Sequence, residues 1–173
     1  MINTEDLSVP QRASVIDVCV SAHDNNDFKN LLDYISSGGR HFLAYRGSEL
    51  VSHAMVTTRW LEPEGHRALR TAYVDAVATL PTAQRLGCAS AVMRRLAADV
   101  PDYDIACLQT DHPGFFARLG WELWRGDLAG RGDDGLIPTP DQRGVMVLRL
   151  ARTPPLDLDL QLTIEVQALR IWE

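Results

Sequence analysis

The chain has 173 residues, 46% of them hydrophobic, and carries a formal charge of −6 from 23 acidic and 17 basic side chains. That length and apolar content suit a single domain over residues 1–173 with a sizeable core; the acidic balance argues against a nucleic-acid surface and permits attraction of a cationic small substrate. Met1 to Asp6 lacks a cationic segment followed by an apolar one, and no later run approaches the roughly 18 apolar residues of a membrane span, so a cytoplasmic protein without a membrane partner is expected.

Ala13, Ile16 and Val20 are spaced for one face of a helix from Pro10 to about Ala22. A second helix is expected from Asp27 to about Ser36, started by Asn26 or Asp27 and stopped by Gly38-Gly39. His41 to Arg46 and Leu50 to Leu61 are rich in β-formers and flank Gly47-Ser48-Glu49, which predicts a hairpin. A second hairpin turns at Glu62-Pro63-Glu64-Gly65 and returns from about Ala68 to Thr79.

A helix from Ala89 to Val100 then leads through Pro101-Asp102 into a buried strand, Ile105 to Thr110, making a βαβ unit. Pro113 to Leu119 reads as a short helix ended by Gly120, and Trp121 to Arg125 as a strand. Gly126 to Arg143, rich in Gly, Asp and Pro, reads as a long loop bordering a substrate site. Val145 to Leu150 is a further strand. In the tail, residues 151–173, Leu156 to Val166 alternates apolar and polar positions like a half-buried strand, and its Leu158 to Val166 part is a candidate surface for a homodimer.

Cys19, Cys88 and Cys107 are odd in number with no C-x-x-C spacing, so neither a disulfide framework nor a zinc site is indicated, and no metal is expected. His53, between apolar residues on a strand, reads as a core or groove histidine.

The most informative segment is Gln84-Arg85-Leu86-Gly87-Cys88-Ala89, a glycine-containing turn between a strand and a helix. Backbone N–H groups converge on an anion at such a turn, and the positive end of the helix dipole adds attraction. In that setting Q-x-x-G-x-A resembles the acetyl-CoA loop of the GNAT family of N-acyltransferases. Phe115-Phe116-Ala117-Arg118-Leu119-Gly120-Trp121 follows where that family carries a short helix ending in Gly-aromatic. Ala72 to Thr79, Val51-Ser52-His53-Ala54, Thr139-Pro140-Asp141 and the aromatic end Ile171-Trp172-Glu173 make the chain most similar to the aminoglycoside 2'-N-acetyltransferase branch.

The resemblance implies an α/β (α+β) fold: a mixed, mostly antiparallel central sheet flanked by helices, with a βαβ acetyl-CoA unit and a tail closing the sheet or the substrate pocket. It implies transfer of acetyl from acetyl-CoA to an amine by direct attack in a ternary complex. Val77, Ala78 and Thr79 would serve the pantetheine arm and acyl carbonyl, and Gln84, Arg85, Leu86, Gly87, Cys88 and Ala89 the pyrophosphate. Asp75 would orient and deprotonate the amine, while Asp27, Asp75, Asp141, Trp172 and the Glu173 carboxylate would hold an aminoglycoside. A peptide N-terminus, polyamine or small metabolite is the alternative amine, and a catalytically silent CoA-binding module the alternative class. One departure stands out: Phe116 occupies the slot where many relatives carry a tyrosine that protonates the departing thiolate.

Overall fold

The computed structural model describes residues 1–23, 26–30, 38–167 and 171–172. They fall into two compact units, Met1–Thr57 with Val74–Asp99, and Thr58–Tyr73 with Val100–Glu173. The long strands β3 (Glu49–Pro63) and β4 (Leu69–Thr79) each contribute a segment to both units.

In the first unit, β1 (Ile2–Asn3) and β3 lie antiparallel on either side of β2 (Arg40–Arg46), with Phe42 opposite Ala54 and Leu43 opposite His53. The hairpin turns on Gly47 and Ser48 because Gly47 adopts φ +61°, cheap only for glycine. Helix α1 (Val9–His23) starts with a capping box: Ser8 Oγ accepts the Gln11 N–H and Gln11 Oε1 accepts the Ser8 N–H, at 3.4 and 3.0 Å. Its Val15, Val18 and Cys19 pack on Leu50 and Met55 of β3 and on Ala76 and Ala78 of β4. Helix α2 (Cys88–Ala98) buries Val92, Met93 and Leu96. Ala91 is exposed, on the opposite side of the helix from Met93. The expected second helix appears only as a 3-10 turn, Asn26–Asn30; its continuation lies outside the described residues.

In the second unit the strand order is β6 (Glu122–Leu123), β9 (Val145–Arg149), β5 (Ile105–Gln109), β4, β3, β10 (Leu162–Glu165), β7 (Leu128–Gly132) and β8 (Gly135–Pro138). β5 runs parallel to β4, with Thr71 opposite Ile105 and Tyr73 opposite Cys107. β10 runs parallel to β7; β9 is antiparallel to β5 and β6, β10 to β3, and β8 to β7. The class is therefore mixed α/β with a mostly antiparallel sheet, and strand β4, helix α2 and strand β5 form the βαβ step. Leu61, Tyr73, Ile105, Val147, Leu162 and Trp172 belong to the core of this unit.

Two expectations change here. Gly126 to Arg143 is a hairpin, β7 and β8, rather than a long loop: Asp133 and Asp134 make the turn and Gly135 closes it at φ +117°. The tail alternation yields strand only at Leu162–Glu165, and β10 is paired on both sides, so its ladder presents no open edge to a second copy.

Gly126 donates its N–H to the Leu158 carbonyl at 3.0 Å, and a Cβ added there would collide with the Leu160 carbonyl. Gly126→Ala is expected to lower unfolding free energy in urea by about 1–3 kcal/mol. Gly132→Ala, whose Cβ would meet only Ile137 Cδ1 at 3.5 Å, is the control and should stay within about 0.5 kcal/mol of the parent.

Candidate functional site

The regular course of β4 breaks at Ala76, which adopts φ +49° without being glycine. That conformation costs an alanine about 1–2 kcal/mol, so its surroundings must hold it. Side chains do so. The Asp75 carboxylate accepts the Ala76 N–H at 2.8 Å, and His53 Nδ1 lies 2.9 Å from the Ala76 carbonyl oxygen. One residue earlier on β3, Ser52 Oγ donates to the Ala78 carbonyl at 3.0 Å and sits 2.7 Å from Thr79 Oγ1. Asp75, Val77 and Thr79 are half-buried, while Ala76 and Ala78 face the α1 core.

Beyond the strand, the Leu80 N–H reaches the Val51 carbonyl at 2.9 Å and a 3-10 turn, Pro81–Ala83, leads into the exposed turn Gln84 to Gly87. Arg85 and Gly87 take φ +63° and +84°, and α2 begins at Cys88 with Gly87 as its N-cap. No side chain caps that end and no acid lies in its first turn. The first N–H groups of α2 thus meet solvent with the positive end of the helix dipole behind them, an arrangement suited to phosphate. Asp75, Val77 to Thr79 and Gln84 to Ala89 all belong to the first unit.

The second unit carries an open groove of about 640 Å³ lined by Gln109, Asp111, Thr139, Asp141, Gln142 and Arg143 among others. Asp141 was singled out from sequence; Asp111 was not, although its place just before the short helix α3 (Pro113–Ala117) was a usable signal. Trp172 is 2% exposed and donates its indole N–H to Thr139 Oγ1 at 3.1 Å, while the Tyr73 hydroxyl donates to the Trp172 carbonyl. Trp172 therefore braces the groove wall from within the core. The side chain of Asp27 and the whole of Glu173 lie outside the described residues. Phe116 is buried edge-on against Trp121, with ring centroids 6.1 Å apart.

Sequence reasoning missed a buried chain of polar groups behind the Ala76 break. Thr4 Oγ1 lies 3.0 Å from the Gly39 carbonyl oxygen and 3.0 Å from His41 Nε2, and His41 Nδ1 lies 2.9 Å from His53 Nε2. Both rings have no solvent exposure. Burial, aided by the Arg12 guanidinium, pushes His41 down to about 4; burial and the neighbouring His41 push His53 down to about 3. Cys19 Sγ sits 3.6 Å from His53 Nδ1, and burial together with the Asp75 charge pushes its thiol up to about 12. The only sequence signal was a histidine at each of two apolar positions on consecutive strands.

Residues 6–124 match the acetyltransferase (GNAT) domain family. The chain belongs to the GNAT acetyltransferase family. An aminoglycoside 2'-N-acetyltransferase of Mycolicibacterium fortuitum is 29% identical over 164 residues, covering 92% of this chain and 83% of that protein. Among solved structures, the GNAT N-acetyltransferase YhbS of Escherichia coli, in complex with CoA, is 14% identical with a TM-score of 0.62 over 90% of this chain and 84% of that one. Eis1 of Mycobacterium abscessus is 22% identical with a TM-score of 0.60 over 70% of this chain, which spans about a third (32%) of that larger protein. These structural likenesses speak to the fold.

The two histidines link stability to pH. Unfolded imidazole titrates near 6.5, whereas both rings stay neutral in the fold down to about 4 and 3, so below pH 6.5 the unfolded chain binds more protons. Their contribution is intact above pH 6.5 and should erode as pH falls from 6.5 toward 4, by about 1 kcal/mol per ring per pH unit. Urea titrations from pH 7.5 to 4.5 check this; a His41→Gln, His53→Gln double variant should have a visibly shallower slope.

Proposed function

We propose that the protein transfers acetyl from acetyl-CoA to an amino group of an aminoglycoside, by direct attack within a ternary complex. The observation that carries the donor half is the αL pair Arg85 and Gly87 ahead of an uncapped, acid-free helix N-terminus, directly downstream of the Ala76 break. Main-chain N–H groups of Gln84 to Ala89 are proposed to take the pyrophosphate, and Val77, Ala78 and Thr79 the pantetheine arm and acyl carbonyl. The CoA complex of the E. coli structure supports the same donor class. The M. fortuitum relative supports the acceptor.

In this reading the free amine attacks the thioester carbonyl. A C–N bond forms, the carbonyl oxygen gains negative charge that a fixed N–H stabilises, and the C–S bond then breaks. Asp75 is proposed to orient the ammonium and accept its proton, directly or through water; its carboxylate already accepts the Ala76 N–H and keeps further acceptor capacity. The groove acids Asp111 and Asp141, with Asp27, are proposed to bind other ammonium groups by charge-assisted hydrogen bonds. Phe116 cannot protonate the departing thiolate. Water is sufficient, because a thiol of pKa about 8.5 is a fair leaving group. Phe116 also motivates the second reading, a CoA-binding module without turnover.

Thiol release is the assay, with acetyl-CoA and a panel of aminoglycosides, polyamines and peptide N-termini, and mass spectrometry to locate the added acetyl. Acetylation of the 2'-amino group is expected; turnover confined to the other amines would replace the acceptor, and CoA binding with no turnover would favour the second reading. Asp75→Asn should lower kcat by about 10²–10⁴-fold with little change in melting temperature. Gly87→Glu should raise the CoA dissociation constant on the order of tenfold or more, since it places an anion beside the phosphates at a backbone angle only glycine adopts freely.

A further inference from the structure

The chain Gly39, Thr4, His41, His53, Ala76 contains four contacts of 2.9–3.0 Å and ends in a carbonyl oxygen at each side. A carbonyl only accepts, so His53 Nδ1 must carry the hydrogen that meets Ala76. A neutral His53 then has a bare Nε2, which must accept from His41 Nδ1–H. A neutral His41 in turn has a bare Nε2, which must accept the Thr4 hydroxyl proton. Three neutral groups supply three protons for four contacts, and the contact left without one is Thr4 Oγ1 to Gly39. That is the contact the fold can spare, because the Gly39 carbonyl also accepts the Thr4 backbone N–H at 2.8 Å.

The relay thus has a direction. Reversed, with the Thr4 hydroxyl donating to Gly39, each ring would carry its proton on Nε2, and the His53 Nδ1 lone pair would face the Ala76 oxygen at 2.9 Å. Either direction leaves one lone-pair contact, at Gly39 or at Ala76; the Gly39 carbonyl keeps the Thr4 N–H, whereas the Ala76 carbonyl would lose the bond that offsets its backbone strain. Cys19 Sγ lies 4.0 Å from the Ala76 oxygen and 3.6 Å from His53 Nδ1, and a thiol is too weak a donor to replace the imidazole N–H at either. The charged groups around the relay are Arg12, which donates to the Thr4 carbonyl from α1, Glu5, which accepts the Gly38 N–H, and Asp75 on β4.

We propose that His53 is the positioning residue of the acyl-transfer strand, holding Ala76 and therefore the Asp75 carboxylate and residues 77–79 in their working geometry, with its tautomer set by His41 and Thr4. This rests on the reading of Asp75 and residues 77–79 as the reacting part of the site. His53 touches neither donor nor acceptor. Its contribution is to aim groups whose misplacement by an ångström costs on the order of a hundredfold in rate.

Two measurements decide it. Long-range nitrogen–proton NMR on the intact protein at pH 7 should find both rings neutral and both protonated at Nδ1; a His53 protonated at Nε2, or charged, overturns the proposal and needs no variant. Kinetics on His53→Leu should show kcat reduced on the order of tenfold to a hundredfold with KM for acetyl-CoA within about threefold. His53→Gln, whose amide can donate to Ala76, should recover most of the loss, and His41→Leu should lower kcat although His41 is one ring farther away. Wild-type kcat in His53→Leu, or a loss that His53→Gln leaves unchanged, overturns the proposal. Should His53→Leu fail to fold, His53→Gln, His41→Leu and the tautomer measurement still decide. A wild-type protein that neither binds nor turns over acetyl-CoA defeats the functional reading instead, a result separable from the tautomers.

Discussion

The arrangement of the first unit depends on one peptide unit, the Ala76 amide and carbonyl, held between a carboxylate and an imidazole. A strand whose ladder ran unbroken past Ala76 would spend its polar groups on its neighbour and leave nothing directed elsewhere. Ala76 departs from extended geometry at φ +49°, and Asp75 and His53 meet its amide and carbonyl with side chains. Ser52 repeats the device at Ala78, so consecutive residues of β3 steady β4 with side chains. Ser52 and His53 are fully buried, so losing either contact would leave a buried polar group without its bond.

The charge distribution follows the same division of labour. In the proposed function the turn before α2, with main-chain donors and no acid, serves the polyanionic donor, and the groove of the second unit, where Asp111 and Asp141 stand beside Arg143, the cationic acceptor. A protein with a net charge of −6 therefore keeps a locally electropositive spot from main-chain donors together with Arg85 of the turn. Main-chain donors of this kind need no side-chain ordering when the ligand arrives, so they bind with little entropic cost.

The parts of this organisation that were legible in sequence are those written in local pattern. The span of α1, the Gly47 hairpin, the βαβ step and the turn at Gly87 are each set by a few neighbouring residues and lie where the pattern places them, but the buried face of α1 is Val15, Val18 and Cys19, with Ala13 exposed and Ile16 and Val20 half-buried. The β7–β8 hairpin was hidden because its strands are short and glycine-rich and its exposed strand β8 buries no face, so no alternation marks it. The tail misled in the opposite way: leucines alternate from 156 to 162, but only Leu162 and Ile164 lie in strand, since pairing with β3 and β7 rather than spacing decides where the ladder forms. The histidine relay was invisible for a different reason. Thr4, His41, His53 and Ala76 are far apart in the chain, and a histidine on an apolar strand face looks the same whether it is a ligand, a base or a brace.

Phe116 sharpens what the rest of the site must do. Buried against Trp121, it brings an apolar ring to a position where many relatives offer a hydroxyl, so nothing at that position can lower the cost of expelling the thiolate. Tyr73 and Tyr103 are committed within the core of the second unit, the first giving its proton to the Trp172 carbonyl and the second sharing a 2.8 Å bond with Thr58. In the proposed reaction, the rate comes from the approach of the amine and from stabilisation of the oxyanion, both of which are matters of position. On the proposed reading, that places the demand on the strand geometry at Ala76, where a positive φ, the buried His53 imidazole and the Asp75 carboxylate meet.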